Sequence, residues 1–284
     1  DPMSETALAT RAGARDLEAE LNYIAAGTER PRVYTYPPPD GGPRTNIVND
    51  ARRVPIRDAR AHAAEATLDR DGFALIRFTT TVRDFGDETE IRARLYPEVE
   101  HALASATGAA RVLIFDHTIR RRVEGAEDRR ANAPRQPVPR VHVDHTARSG
   151  PQRVRDLLPD EAEELLRGRV QIINLWRPLF GPLRDSPLAV ADARSIAPDE
   201  LVPSDLVYPD RVGETYAVRY SPHHRWFYVP DMQADEALLL KCFDSATDGR
   251  ARFAPHTAFQ DVTAGPDARP RESVELRALV FHPG

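Results

Sequence analysis

His142 and Asp144 stand two residues apart in Arg140-Val-His-Val-Asp-His-Thr146, so on a strand both side chains leave the same face and can share one metal ion. His256, in Phe253-Ala-Pro-His-Thr-Ala-Phe-Gln-Asp261, offers a third ligand. Two histidines and one carboxylate that leave positions open form the facial triad of non-haem Fe(II) oxygenases. Fifteen residues beyond His256, Arg271-Glu-Ser273 heads an alternating strand, and a guanidinium there can grip the far carboxylate of 2-oxoglutarate by a two-pronged charge-assisted bond. A lone His-x-Asp arises often by chance. The ordered set of His-x-Asp, a distant His and then Arg-x-Ser is much more specific. His142, Asp144 and His256 are therefore the expected metal ligands and catalytic centre, with Fe(II), 2-oxoglutarate and O2 as the reacting partners.

Residues 271, 273, 275 and 277 share one strand face, so Arg277 competes with the pair Arg271 and Ser273 for the co-substrate. Asn174 and Trp176, again two apart, can face the pocket, Asn174 bonding 2-oxoglutarate or a substrate carbonyl and Trp176 walling the cavity; core packing explains them as well. His117 reads as a core or pocket-wall histidine. Arg120 and Arg148 can hold an anionic substrate group, against the ordinary reading of solvated surface charge. Of His223 and His224 only one could coordinate, because adjacent residues on a strand point to opposite faces. A metallo-hydrolase motif of the type His-x-His-x-Asp-His fails at position 140, which is Arg. The rival classes are a non-oxidative cupin-type isomerase or lyase and a non-catalytic small-molecule binding protein; Arg271 and Ser273 favour the oxygenase over both.

Short elements separated by turn residues must position these groups. Leu8, Leu17, Leu21, Tyr23 and Ile24 recur near a 3.6 period, which predicts a helix over 4–26 ended by Gly27. The Pro-rich stretch 34–43 is extended loop. Helices are predicted over 59–68, over 88–106 with a kink or restart at Pro97 and a stop at Gly108, and over 159–166. Strands are predicted over 72–78, 110–118, 170–177, 188–192, 215–220, 226–229, 237–244, 256–260 and 273–281, and the charged, proline-bounded 120–139 reads as a lid or connection. This spacing suits an all-β jelly roll framed by N-terminal helices.

The chain has 284 residues, ample for one large domain, and its 25 prolines point to many loops. A net charge of -5 argues against a nucleic-acid partner. No run of eighteen apolar residues exists, and Asp1-Pro-Met-Ser-Glu lacks the basic and apolar parts of a signal peptide, with Met3 read as the natural start. The expectation is a cytoplasmic protein, not bound to membrane, that acts on a small molecule. Cys242 is the sole cysteine, which excludes an intrachain disulfide and multi-cysteine metal sites. Lys241 is the sole lysine and is assigned a structural role.

Several stretches together resemble a known family: Phe115-Asp-His-Thr-Ile-Arg120, Val141-His-Val-Asp-His-Thr146 with Ser149-Gly-Pro-Gln-Arg153, Asn174-Leu-Trp-Arg-Pro178, Asp185-Ser-Pro-Leu188, Leu238-Leu-Leu-Lys-Cys-Phe-Asp-Ser245, Pro255-His-Thr-Ala-Phe259 and Arg271-Glu-Ser-Val-Glu-Leu-Arg277. They look like the hydroxylase and desaturase group that includes the cephamycin methoxylase component, the aspergillic acid hydroxylase and the fungal gibberellin desaturase, over 21–281. The resemblance implies a double-stranded β-helix (jelly roll, cupin-like) with flanking helices in a single domain, 1–284, whose N-terminal helical and extended region, about 4–70, packs on the core. It also implies Fe(II), 2-oxoglutarate and a secondary-metabolite substrate that is hydroxylated, desaturated or oxidatively cyclised. Carried over by position, His142, Asp144 and His256 are the iron ligands. The family motif usually carries an aromatic residue such as Tyr after the aspartate; His145 stands there instead, as an outer donor, a substrate contact or a tolerated exchange. Arg271 with Ser273 is preferred for the co-substrate, because Arg-x-Ser at this distance resembles the penicillin-ring oxygenases.

Overall fold

A computed structural model describes residues 14–27 and 29–283. Its strands are β1 (Leu17–Ile24), β2 (Arg32–Tyr34), β3 (Asn49–Asp58), β4 (Phe73–Arg77), β5 (Arg111–Arg121), β6 (His142–Val143), β7 (Val170–Pro178), β8 (Leu188–Ala191), β9 (Leu201–Val207), β10 (Val212–Val218), β11 (Trp226–Tyr228), β12 (Glu236–Asp244), β13 (His256–Ala258) and β14 (Glu272–Phe281). Nine of them form one sheet in the order β1-β3-β11-β8-β13-β6-β10-β9-β2, and five form the other in the order β4-β12-β7-β14-β5. Side chains of both inner faces meet between the sheets: Phe73, Leu75, Trp176, Leu238 and Leu240 from the smaller sheet pack on Leu188, Val190 and Phe227 from the larger. Two packed sheets with helices at the edges make the jelly-roll, cupin-like architecture.

Strict alternation decides which side chains reach that interior. On β7, Val170, Ile172, Asn174 and Trp176 point in, while Ile173 and Leu175 join the outer layer with Leu276, Ala278 and Val280 of β14. That outer layer is covered by the helical segment α1 (Glu88–Glu90), a π-turn at Ile91–Leu95 and α2 (Tyr96–Thr107), which bury Ile91, Leu95, Val99 and Leu103 against it. The widened turn ends just before Pro97, whose missing N–H and bulky ring forbid a regular α-turn there. Gly108 closes α2 at φ +69°, a left-handed conformation that suits glycine.

The N-terminal helix expected over 4–26 is overturned where the structure describes it. Leu17–Ile24 is β1, paired antiparallel with β3 from Leu17 opposite Ile56 to Ile24 opposite Asn49. Ala19, Leu21 and Tyr23 are buried while Glu18 and Glu20 are exposed, so the period is 2; residues 17, 21 and 24 fit a helical spacing as well, and pairing with β3 decides between them. The remainder of that helix, 4–13, lies outside the described residues. The helix over 59–68 shrinks to a single 3-10 turn, Ala59–Ala61, capped by the Asp58 carboxylate, followed by turns. Two helices follow the metal motif: α3 (Ser149–Leu157), not among the predicted elements, and α4 (Ala162–Leu165), shorter than 159–166. α3 lies against β12 because Gly150 has no side chain; a Cβ there would come within 2.5 Å of the Phe243 ring.

Lys241 is fully buried in β12 and bonds Asp244 at 2.8 Å and Asp69 at 2.9 Å, while Arg169 reaches the same two carboxylates at 2.6 Å each. Although burial opposes it, Arg169 and Lys241 hold the Asp69 carboxyl down to about 2 and keep Asp244 below its usual range. Removing one partner of a buried pair leaves the other charge uncompensated, so Lys241→Met should cost about 3 kcal/mol in urea unfolding at neutral pH. Both folded-state carboxyls lie below the unfolded value of about 3.9, so their contribution is intact above about pH 4 and disappears as the pH falls toward 2. The loss of wild-type stability across that window should be smaller in Lys241→Met, and unfolding curves taken at stepped pH measure it.

Candidate metal centre

His142 and His256 are direct cross-strand partners, which sets their rings 4.5 Å apart between centroids. Each ring turns its Nδ1 to the carbonyl two residues earlier in its own chain, His142 to Arg140 at 2.8 Å and His256 to Ala254 at 3.1 Å. A donor bond at Nδ1 fixes the tautomer that leaves Nε2 with a free lone pair, as metal-binding histidines require. Both Nε2 atoms face one oxygen: Asp144 Oδ1 lies 3.3 Å from His142 and 3.6 Å from His256. The other oxygen, Oδ2, accepts from Asn174 Nδ2 at 2.8 Å and Arg277 Nε at 3.2 Å. The carboxylate is thus divided, one oxygen tied and one presented.

Asp144 is held well below the ordinary carboxyl range: burial pushes it up, and the adjacent His142 and His256 rings with the charge of Arg277 outweigh that. It is ionised at neutral pH, the form a cation needs. The three donor atoms lie within 4.8 Å of one another, and two metal bonds of about 2.1 Å span at most about 4.2 Å, so shifts of a fraction of an ångström close the set onto one ion. Nitrogen, nitrogen and a hard anionic oxygen suit Fe(II), and the residues present fit it.

Asp144 follows β6 at the start of a turn that Glu214 of β10 pins from outside. Thr146 donates its hydroxyl to the Glu214 carboxylate at 2.6 Å, Ser149 donates to the Glu214 carbonyl at 2.8 Å, and the Thr146 hydroxyl accepts from the N–H groups of Arg148 and Ser149. Arg148 itself is exposed and pairs with Glu214 at 3.0 Å, so it belongs to this brace and stands apart from the pocket. His145 is buried beside Asp144, its Nδ1 3.3 Å from Ser149 Oγ and its ring edge-on to Phe115. His117 is not brought to the site. It lies on the helix-facing side of β5, bonded to the Tyr96 hydroxyl at 2.8 Å and to Glu88 at 3.0 Å. His224 is also remote, held between Tyr23 and Glu200.

Three strands of the smaller sheet face the triad in rows: Asn174, Arg277 and Asp116; then Trp176, Glu275 and Thr118; then Pro178, Ser273 and Arg120. Arg277 reaches Asp116 at 3.1 Å, Thr118 at 2.9 Å and Glu275 at 2.5 Å besides Asp144, so its guanidinium is fully engaged. Arg271 differs. It is buried, donates to Ser273 Oγ at 3.1 Å and the Ser186 carbonyl at 2.8 Å, stacks 5.1 Å over Trp176, and has no side-chain ion pair among the described residues. Burial, then the nearby charge of Arg120, pushes it down to about 9. Ser186 takes a left-handed φ of +47°, an uncommon conformation for a non-glycine residue, with its carbonyl accepting from Arg271. Arg120, itself pushed down to about 10 by burial, donates to the Gln136 carbonyl at 2.7 Å. A buried guanidinium with no carboxylate is the donor set for an incoming anion.

The family profile described as "Oxidoreductase/YMDC permease-like domain" matches residues 21–281. Hydroxylase/desaturase efuI of Hormonema carpetanum is 34% identical over 258 residues, 84% of this chain and 86% of the relative. The chain belongs to this family. Within it, Fe(II)/2-oxoglutarate-dependent dioxygenase nvfI of Aspergillus novofumigatus is 30% identical over 273 residues, 93% of this chain and 96% of the relative. The solved iron and alpha-ketoglutarate-dependent endoperoxidase NvfI superposes with a TM-score of 0.84 at 27% identity, covering 95% of this chain and 99% of that one. The chain is accordingly a 2-oxoglutarate-dependent non-haem iron dioxygenase with a jelly-roll fold.

Residues that sequence reasoning passed over include Glu214, Asp116, Thr118 and Glu275. The last three were detectable by period 2 from Arg120 and Arg277; Glu214 is fixed by tertiary contact alone. Outer-shell bonds to a ligating carboxylate typically govern affinity by 10- to 100-fold, so Asn174→Ala should weaken Co(II) binding by roughly that factor, whereas Asp144→Ala should abolish it. Calorimetric titration of the metal-free protein reads both.

Proposed function

We propose that His142, Asp144 and His256 hold Fe(II), and that Arg271 with Ser273 holds the far carboxylate of 2-oxoglutarate, in an oxygenase acting on a small secondary-metabolite substrate. The observation that carries this reading is the divided carboxylate of Asp144 facing two oriented histidines, with Arg271, which has no ion pair among the described residues, buried at the head of the adjoining strand. Bound iron with 2-oxoglutarate and O2 supplies the oxidising chemistry, with succinate and CO2 as co-products and hydroxylation, desaturation or oxidative cyclisation as outcomes.

The side chains perform the remaining tasks. Asn174 and Arg277 keep Asp144 Oδ1 presented by occupying Oδ2. Trp176 backs the Arg271 guanidinium with its ring face, fixing the plane of the two-pronged contact. Arg277, bound to three carboxylates, has little left for a co-substrate, which supports Arg271 over it. His145 lines the wall beside Asp144.

A single oxygenase domain spanning 1–284 is part of the same proposal, supported by the shared interior of the two sheets. So is a cytoplasmic location, supported by a lone buried cysteine, Cys242. No described helix is long and apolar enough to cross a membrane. The net charge of -5 supports a small-molecule partner over nucleic acid.

With Fe(II) under air the protein should convert 2-oxoglutarate to succinate, slowly without its substrate. Losing one good charge-assisted contact costs roughly 1.5 to 3 kcal/mol, so Arg271→Lys should raise the KM for 2-oxoglutarate by about 10- to 100-fold, and Arg277→Lys should act on metal affinity instead. A larger KM effect at Arg277 would transfer the co-substrate site there.

A further inference from the structure

The segment after β5, the turn between β9 and β10, and α3 enclose a second cationic place beside the metal centre. The guanidinium of Arg153, on α3, lies 5.2 Å from the Phe115 ring centroid; its Nε is buried without a hydrogen-bond partner, and no carboxylate pairs with it among the described residues. Phe115 packs edge-on against His145, next to the proposed ligand Asp144, and precedes Asp116, which Arg277 grips. A register shift in the β5–β14 ladder between Arg277 and Ala278 leaves Phe115 without a partner residue and lets it face inward with Asp116. Arg129, in the 122–140 segment with a left-handed φ of +60°, likewise has no ion pair among the described residues. Arg211 caps the group, its guanidinium 4.0 Å over Tyr208.

Among the described residues most arginines of this acidic chain are paired; Arg153 and Arg129, both partly buried, are not. Burial pushes Arg153 below its ordinary value, Arg211 pushes it further, and Arg129 is lowered by burial and then by Arg135. An unpaired, partly desolvated charge is unfavourable until a counter-ion arrives. Asp116 is already paired with Arg277 at 3.1 Å. The half-exposed Asp116 carboxylate also limits how much negative charge the mouth tolerates, which favours a singly charged group over a phosphate.

We propose that Arg153 binds a carboxylate on the organic substrate, whose apolar body lies along Phe115. The proposal rests on the oxygenase reading above and names its substrate class: an organic acid. The residues that sequence reasoning assigned to an anionic substrate group, Arg120 and Arg148, are otherwise engaged, with the Gln136 carbonyl and with Glu214.

The test uses the full chain loaded anaerobically with Fe(II) and 2-oxoglutarate, with 4-phenylbutanoate and the uncharged 4-phenylbutanamide as probes, titrated by calorimetry. The acid should bind at least about tenfold more tightly than the amide, as one charge-assisted contact implies. Arg153→Gln should erase that preference, and Arg153→Lys should keep part of it. Equal binding of acid and amide, no acid binding at all, or an unchanged preference in Arg153→Gln each overturn the proposal. The carboxylates of 2-oxoglutarate itself are the other possible source of the anion. If Arg153→Gln weakens 2-oxoglutarate binding as Arg271→Lys does, read from the visible charge-transfer band, the arginine belongs to the co-substrate and the proposal fails. If the wild type shows no such band, the oxygenase reading has failed instead.

Discussion

One carboxylate links the two halves of this molecule. Asp144 leaves the larger sheet, and its Oδ2 is taken by Asn174 and Arg277, which belong to β7 and β14 of the smaller one. A buried anion is tolerated only where bonds and charge offset its lost hydration, and here both hydrogen bonds to Oδ2 come from across the interior. The consequence is chemical as well as structural. With Oδ2 occupied, only Oδ1 remains to face His142 and His256, so the position of the smaller sheet sets the geometry of the triad.

Much of the surrounding structure keeps that crossing in register. The pairing of His142 with His256 fixes two ring positions through backbone bonds, and each Nδ1 bond then fixes a ring orientation. Glu214 braces the turn that carries Asp144, and Gly150 lets α3 approach Phe243 closely enough to close the interior beside it. Arg277 joins Asp144, Asp116 and Glu275, so the charges of the pocket floor offset one another, while Arg271 has no carboxylate partner among the described residues. The polar site thus divides into a self-satisfied part that positions the metal ligands and an unsatisfied part that is open to an anion.

The chemistry was more legible in the sequence than the frame. His-x-Asp and Arg-x-Ser place their side chains by strand alternation, a rule that needs no tertiary knowledge, and long alternating runs such as β14 and β7 announce themselves. The strand β1 did not, because Leu17, Leu21 and Ile24 fit a 3.6 period while Ala19, Leu21 and Tyr23 fit a period of 2, and only the partner β3 decides between them. For a related reason the sequence leaves open whether His117 is a core or a pocket-wall histidine: alternation puts it opposite to Asp116 and Thr118, but which face meets the helix depends on where α2 packs. Arg148 and Arg153 sit five residues apart on neighbouring turns; the chain alone gives no sign that the first reaches Glu214 and the second lies over Phe115.

The central claim, an iron ion on the triad with 2-oxoglutarate chelating beside it, is tested most directly by adding 2-oxoglutarate to the Fe(II)-loaded protein without oxygen and following visible absorption. The account predicts a metal-to-ligand charge-transfer band that grows and saturates at one 2-oxoglutarate per iron. A protein that binds Fe(II) but develops no such band would contradict it and would move the site toward a cupin-type enzyme that uses its metal without an oxidising co-substrate.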